Sequence, residues 1–284
     1  MYQQVSGEDG MSFAIKRTEL IYDRFQGQKD EPHRHSYYTV VFNLEADGVH
    51  HLDFKAYPMS DQQIWFVAPG QVHQIDDKAR PKGYALTFSE RFLEENSIDC
   101  RFIEDIGLFQ SFDTVAALEP ASHQLEILTQ YVEAMLKQQE DGGSMAYQAI
   151  GALLKLFLIT CYQACDAGQL NPQLAESGSS LLRDFRRLLD EHHHEWHQVR
   201  DYAEKLFVTP DHLNRTVKQM VGQTAKAFLQ ARVLVEAKRK LRFEDRTVKE
   251  IAFDLGFRDA SHFGSFFKKH SGVSPKVFRE KRTL

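Results

Sequence analysis

Cysteine is scarce in this chain: Cys100, Cys161 and Cys165 are the only three in 284 residues. Their odd number and wide spacing suit a reducing cytosol, and no CxxC pair is present to frame a structural zinc site. Cys161 and Cys165 lie four apart on an apparent helix, share one of its faces, and are expected as buried thiols. Long apolar runs are lacking too. Nothing approaches the ~20 residues that span a bilayer, and the N-terminus carries no basic-plus-apolar leader. A soluble, cytoplasmic protein with no membrane partner is therefore expected. Catalytic signatures are missing as well: there is no GxSxG, no glycine-rich phosphate loop and no HExxH. Without them nothing points to an enzyme, and no cofactor is expected.

What is present is a strong charge asymmetry. The formal net charge is −5, but residues 179–284 hold 22 Lys and Arg against 14 Asp and Glu. Residues 1–178 hold 13 against 26. An acidic half joined to a basic half suits a regulatory module tied to a nucleic-acid reader.

The basic half is organised around Val199–Glu280, which contains one small design twice. VRDYAEKLFVTPDHLNRTVKQMVGQT and VKEIAFDLGFRDASHFGSFFKKHSGVSP each begin with a short amphipathic helix holding an internal Ala (Ala203, Ala252). Each continues through a tight turn (Leu206-Phe207-Val208; Leu255-Gly256-Phe257) to a capping residue (Thr209; Asp259) and a second helix ended by Gly222 or Gly272. The small Ala lets the two helices approach closely, Gly256 permits a sharp turn, and Thr209-Pro210 is a strong helix start. Leu213 with Val217, and Phe263 with Phe267, give each second helix one apolar stripe. The opposite face presents polar groups that a major groove can receive.

At these residues the chain resembles the AraC/XylS family of bacterial transcription regulators, over roughly Ser180 to Arg282. IAFDLGFRDASHFGSFFKKHSGVSPKVFR is the most diagnostic stretch, and FLQARVLVEAKRKL, with Arg232, Ala237 and Leu241, resembles the family's linking helix. The resemblance implies double-stranded promoter DNA as a partner, RNA polymerase as another, and activation more often than repression. It implies recognition helices at Pro210–Val221 and Ala260–His270. On the first, Asp211, Asn214 and Arg215 match base-reading positions; on the second, Ala260, Ser261, His262 and Ser265 do. By chemistry, Arg215 suits guanine, Asn214 adenine and Asp211 cytosine. Thr209, Lys218, Lys268 and Lys269 are the expected phosphate contacts. Ser265 stands where the family commonly has Arg, and Gly264 precedes it, so the first helix is expected to carry most of the specificity.

The N-terminal half reads as short strands: Phe13–Arg17, Tyr37–Leu44, Val49–Phe54, Gln62–Val67, His73–Ile75 and Gly83–Phe88, broken by Gly and Pro. From Arg91 the pattern turns helical. Leu125, Leu128, Val132, Met135 and Leu136 give one helical stripe, and Ala149, Leu153, Leu156 and Phe157 begin a second, which ends near 167–168. The PHRH turn and the PGQVH segment make this half similar to the family's cupin-like sensor domain. The fold class is thus α+β: a cupin-like β-barrel or jelly roll with two following helices, then an all-α double helix-turn-helix domain. The expected boundaries are 1–168 for the sensor, 169–179 for a polar linker and 180–284 for the reader. The resemblance also implies a homodimer made through the helical pair.

Three features are candidate sites. His33, His35 and His73 match the histidines of metal-binding cupins, but the carboxylate expected after the second His is replaced by Thr39, so no metal is expected. A small-molecule effector pocket is expected from Tyr38, Val40, Phe42, Trp65 and His73, with His33, His35 and Arg34 near its mouth. The first three alternate onto one strand face. His192-His193-His194-Glu195-Trp196-His197 cannot converge on one ion and reads as a packed Trp196 among solvated histidines. The rival functions are a cupin-type metalloenzyme with a DNA-binding tail, and a regulator whose first domain only dimerises.

Overall fold

The computed structural model describes residues 12–27, 30–109, 117–166 and 175–280, with side chains described outside 166–179. The chain divides into two compact units, residues 1–170 and 171–283.

The first unit holds two antiparallel sheets. Strands β1 (Phe13–Arg17), β7 (Lys82–Phe88), β2 (Tyr38–Glu45) and β5 (Ile64–Val67) form one, in that order. Strands β4 (Lys55–Met59), β3 (Gly48–Leu52) and β6 (His73–Asp77) form the other. The sheets face each other but stay open at their edges, so the domain is a sandwich and not a closed barrel. Pro58 lies inside β4, paired with Val49, and is tolerated because β4 is an edge strand.

Strand β2 is buried from Thr39 to Asn43 because both of its faces are covered. Val40 and Phe42 join Ile64, Leu86 and Phe88 in a core completed by helices. Val41, on the opposite face, joins Trp65 and Val67 against Leu52 and Met59 of the second sheet. Besides α1 (Thr18–Arg24), α2 (Glu90–Glu95) and α3 (Cys100–Ile106), two long helices follow the sheets: α4 (Ser122–Asp141) and α5 (Ala146–Asp166). Leu128, Val132 and Met135 of α4 meet Leu154, Phe157 and Cys161 of α5 in that core. Helix α5 corrects one expectation: by length and mean hydropathy, 1.3, it is apolar enough to cross a membrane. One of its faces, with Ile150, Leu154, Phe157, Leu158 and Cys161, packs into the core. It corrects another: Cys161 is buried but Cys165 is exposed.

The second unit is all helix among the described residues. Its helices are α6 (Ala175–His192), α7 (Val199–Lys205), α8 (Pro210–Val221), α9 (Ala225–Phe243), α10 (Val248–Asp254), α11 (Ala260–Ser271) and α12 (Pro275–Glu280). Residues 175–179, expected in the linker, open helix α6; the part of the linker at 169–174 lies outside the described residues. Thr209 and Asp259 accept the His212 and His262 N–H groups as N-caps, and Gly222 and Gly272 end α8 and α11 at φ 76° and 82°. Ala203 and Ala252 are fully buried. Phe228 of α9 packs on Phe185 of α6, and Phe278 of α12 packs on Phe267 of α11. Helix α9 packs against both pairs, and its buried Arg232 is held by Asp190 at 2.7 Å and Glu236 at 3.1 Å.

Candidate DNA-reading surface and effector cavity

On α8 the stripe of Leu213, Thr216 and Val217 is buried, which leaves Asp211, His212, Arg215, Lys218 and Gln219 exposed. On α11 the burial of Phe263 and Phe267 leaves Ser261, His262, Ser265, Lys268 and Lys269 exposed, with Ala260 half-buried. Thr209 is exposed, and its hydroxyl oxygen accepts the His212 N–H as a cap. Asn214 is different. Its Oδ1 accepts the Ala225 N–H at 3.0 Å and so fixes the start of α9. A two-bond contact with adenine uses both the oxygen and the nitrogen of the amide, so Asn214 is better placed as a brace than as a reader. Gln219, exposed one turn beyond Arg215, was not picked out from the sequence.

Between the sheets lies a cavity of about 720 Å³. Thr39, Val41 and Asn43 of β2 and Ala85 and Thr87 of β7 form one wall; Met59, His73 and Ile75 form the other. Of the expected pocket residues, His33, His35 and His73 line it. Tyr38 and Phe42 do not: they point to the helical side of the sheet, where Tyr38 stacks on Phe88 and Phe42 meets Phe157. Trp65 is packed in the inter-sheet core beside His50, and Arg34 does not line the cavity. Tyr38, Val40 and Phe42 share one face of β2, but it is the face that meets the helices and not the cavity. Thr39 and Asn43, polar and alternating with Val41, were the signal that could have found the right one.

The histidines form a connected group. His35 Nε2 lies 3.0 Å from His73 Nε2 and 3.2 Å from Thr39 Oγ1. His50, which the sequence did not single out, lies 3.4 Å behind His73 at Nδ1. Burial pushes His35 down to about 4 and His50 down to about 3, and holds His73 well below the ordinary range. These rings are therefore neutral at pH 7. Burial also works against charge on His33, but the hydrogen bond and the charge of Asp30 outweigh it and raise that ring. Asp77, at the same cavity, is pushed up to about 6 by burial and by Asp30 and Asp76.

The 192–197 segment is structural. His192 stacks on Trp196 at 3.9 Å, and His197 lies 4.8 Å from Phe257. His193 is buried rather than solvated, and its Nδ1 donates to the Leu189 and Asp190 carbonyls.

A β-sandwich with an internal cavity, followed by two helix-turn-helix units on one shared helix, defines a DNA-binding transcription regulator with a ligand-binding domain. An AraC-like ligand binding domain matches residues 17–156, and a helix-turn-helix domain matches residues 202–281. The HTH-type transcriptional activator RhaS of Pectobacterium carotovorum subsp. carotovorum (strain PC1) is 24% identical over 251 residues, 87% of this chain and 86% of its own. RhaS of Escherichia fergusonii is 24% identical over 258 residues, 88% of this chain and 87% of its own. Among solved structures, apo ToxT K231A from Vibrio cholerae covers 97% of this chain and 100% of its own, with 11% identity and a TM-score of 0.42. The chain belongs to the AraC family of helix-turn-helix transcription regulators.

Proposed function

We propose that this regulator is an activator controlled by a small effector in the inter-sheet cavity, and that α8 supplies most of its sequence specificity. The activators among its relatives support the sign of regulation, and so RNA polymerase as a partner. The exposed row Asp211, Arg215, Lys218 on α8 carries the specificity reading. Asp211 accepts from cytosine, Arg215 grips guanine O6 and N7 with two bonds, and Lys218 meets phosphate. Ser261, His262 and Ser265 of α11 offer shorter reach, so α11 anchors through Lys268 and Lys269. One protomer then covers two successive major grooves. The exposed Ile127, Leu156 and Tyr162 support a homodimer through α4 and α5. Residues 1–168 act as the sensor and 180–284 as the reader. The work is done in the cytoplasm, and no catalytic step is assigned to any residue.

The test is genome-wide occupancy of the full chain beside Arg215→Ala, followed by binding to a recovered site. Arg215→Ala is expected to cost about 1–3 kcal/mol on that site and to relax one base position. Lys268→Ala is expected to weaken all sequences alike and to lower the salt slope by roughly 1. Equal loss by Arg215→Ala on cognate and scrambled DNA would sink the specificity assignment. For the cavity, Ala85→Phe fills the space between the sheets and is expected to change output from a bound promoter without changing affinity for the isolated site.

A further inference from the structure

The inner end of the cavity has a chemistry that narrows the ligand. His33 Nδ1 lies 2.8 Å from the Glu31 carbonyl and His35 Nδ1 lies 2.9 Å from the Tyr37 carbonyl. A carbonyl oxygen only accepts, so each Nδ1 carries a hydrogen and Nε2 is the nitrogen through which either ring would hold a metal, His33 giving up any proton there as the ion binds. His73 is backed at Nδ1 by the buried His50 and turns Nε2 toward His35. One nitrogen from each of His33, His35 and His73 lies within 4.8 Å of the others. In a tetrahedral site with metal–nitrogen bonds of about 2.0–2.1 Å, ligand atoms sit roughly 3.3 Å apart. The 3.0 Å between His35 and His73 is close to that spacing, and a small inward turn of His33, whose side chain is 20% exposed, completes it.

The surroundings favour a cation. Asp30, Glu31, Asp76 and Asp77 line the same cavity, and no Lys or Arg does so among the described residues. Acidic groups along the cavity disfavour an anionic effector and attract a positive ion toward the imidazoles. Three imidazoles suit Zn²⁺, Co²⁺, Ni²⁺ or Cu²⁺; Mg²⁺ and Ca²⁺ demand oxygen.

We propose that the cavity binds a divalent first-row transition-metal ion on the Nε2 atoms of His33, His35 and His73. The inference rests on reading this cavity as the effector site and names the ligand class. The carboxylates lining the cavity attract the ion. Carbonyl-held Nδ1–H groups aim two ligands, and His50 aims the third. The fourth coordination position opens to the cavity, where water or an oxygen of a small organic ligand completes it. The missing cupin-like carboxylate is then no obstacle, since Thr39 sits beside the ligand set and three imidazoles already suffice to hold the ion.

The experiment uses the full chain, stripped with chelator and titrated with Co²⁺ and then Zn²⁺. One equivalent of Co²⁺ is expected to give the visible bands of a tetrahedral site, and Zn²⁺ is expected to bleach them. His35→Ala and His73→Ala are expected to lose the bands. His194→Ala, in the other unit, is expected to keep them. His33→Ala, at the exposed side of the triad, guards against misfolding: it is expected to melt like the parent and to lose ~10-fold or more in affinity. Absence of bands at stoichiometric Co²⁺, or bands unchanged in both His33→Ala and His35→Ala, overturns the proposal. If Co²⁺ fails to bind while Ala85→Phe still alters promoter output, the metal fails and the cavity reading stands. If Co²⁺ binds but output ignores both metal and Ala85→Phe, the metal site stands and its regulatory reading fails.

Discussion

Phe207 and Gly256 occupy the same place in the two helix-turn-helix units, and each has a positive φ, 56° and 75°. The same geometry is filled by opposite residues. A left-handed backbone disfavours any side chain by roughly 1–2 kcal/mol, and Phe207 gains little in return because it is 95% exposed. Phe207→Gly is therefore expected to stabilise the chain by about 0.5–1 kcal/mol in a urea melt, after the extra freedom of unfolded Gly is counted. Gly256 has no such latitude. A Cβ there would stand 2.2 Å from the His194 carbonyl oxygen. Gly256→Ala is expected to cost about 2–4 kcal/mol and to abolish DNA binding at moderate temperature. A parental midpoint in that variant would contradict the close approach.

At the scale of the element, α11 carries an internal Gly264 with open space where a Cβ would go and with helical backbone. Gly264→Ala is expected to raise stability by ~1 kcal/mol. If affinity for cognate DNA stays unchanged at the same time, α11 is an anchor whose middle does not touch base edges. The helix-turn-helix elements were legible because their signals are local: Thr209 and Asp259 cap, Gly222 and Gly272 terminate, and Leu213 with Val217 marks one face. The sandwich was legible in its strands but not in its faces. Val40 and Val41 are both buried, so alternation in β2 says that two faces exist and not which one meets the cavity. Strand β4 was missed because Pro58 argues against a strand unless the strand is known to lie at an edge. The polar 175–179 stretch looks like linker by composition, yet it begins a helix that continues through Leu182, Phe185, Leu188 and Leu189, which are buried. His50 was missed because a histidine in a half-buried strand looks ordinary until the register places it behind His73.

At the scale of the whole molecule, the second unit has a built-in pH limit. Burial, and then the charge of Arg232, pull the His193 imidazole down to about 4. Its unfolded value is about 6.5. As pH falls from 6.5 toward 4, the unfolded chain binds the proton first and stability drops; above 6.5 the contribution is fully present. The check is the urea midpoint of that unit against pH, followed through Trp196 in a Trp65→Phe background. The midpoint is expected to fall across that window and to fall less steeply in His193→Gln. A flat profile in the parent would remove His193 from the account.

The contact between Gly256 and the His194 carbonyl reaches beyond folding. The segment before α7 leans on the turn of the second motif, His197 touches Phe257 there, and α9 is packed between both pairs. The two reading heads have no hinge between them. Each base pair inserted between their half-sites on DNA turns one groove by roughly 35° relative to the other and lengthens the path by roughly 3.4 Å. A protein with independent heads would follow that change, but this one cannot. An operator with its correct letters and one extra central base pair should therefore bind as poorly as one with a half-site erased, so that spacing is as much a part of the recognised message as sequence.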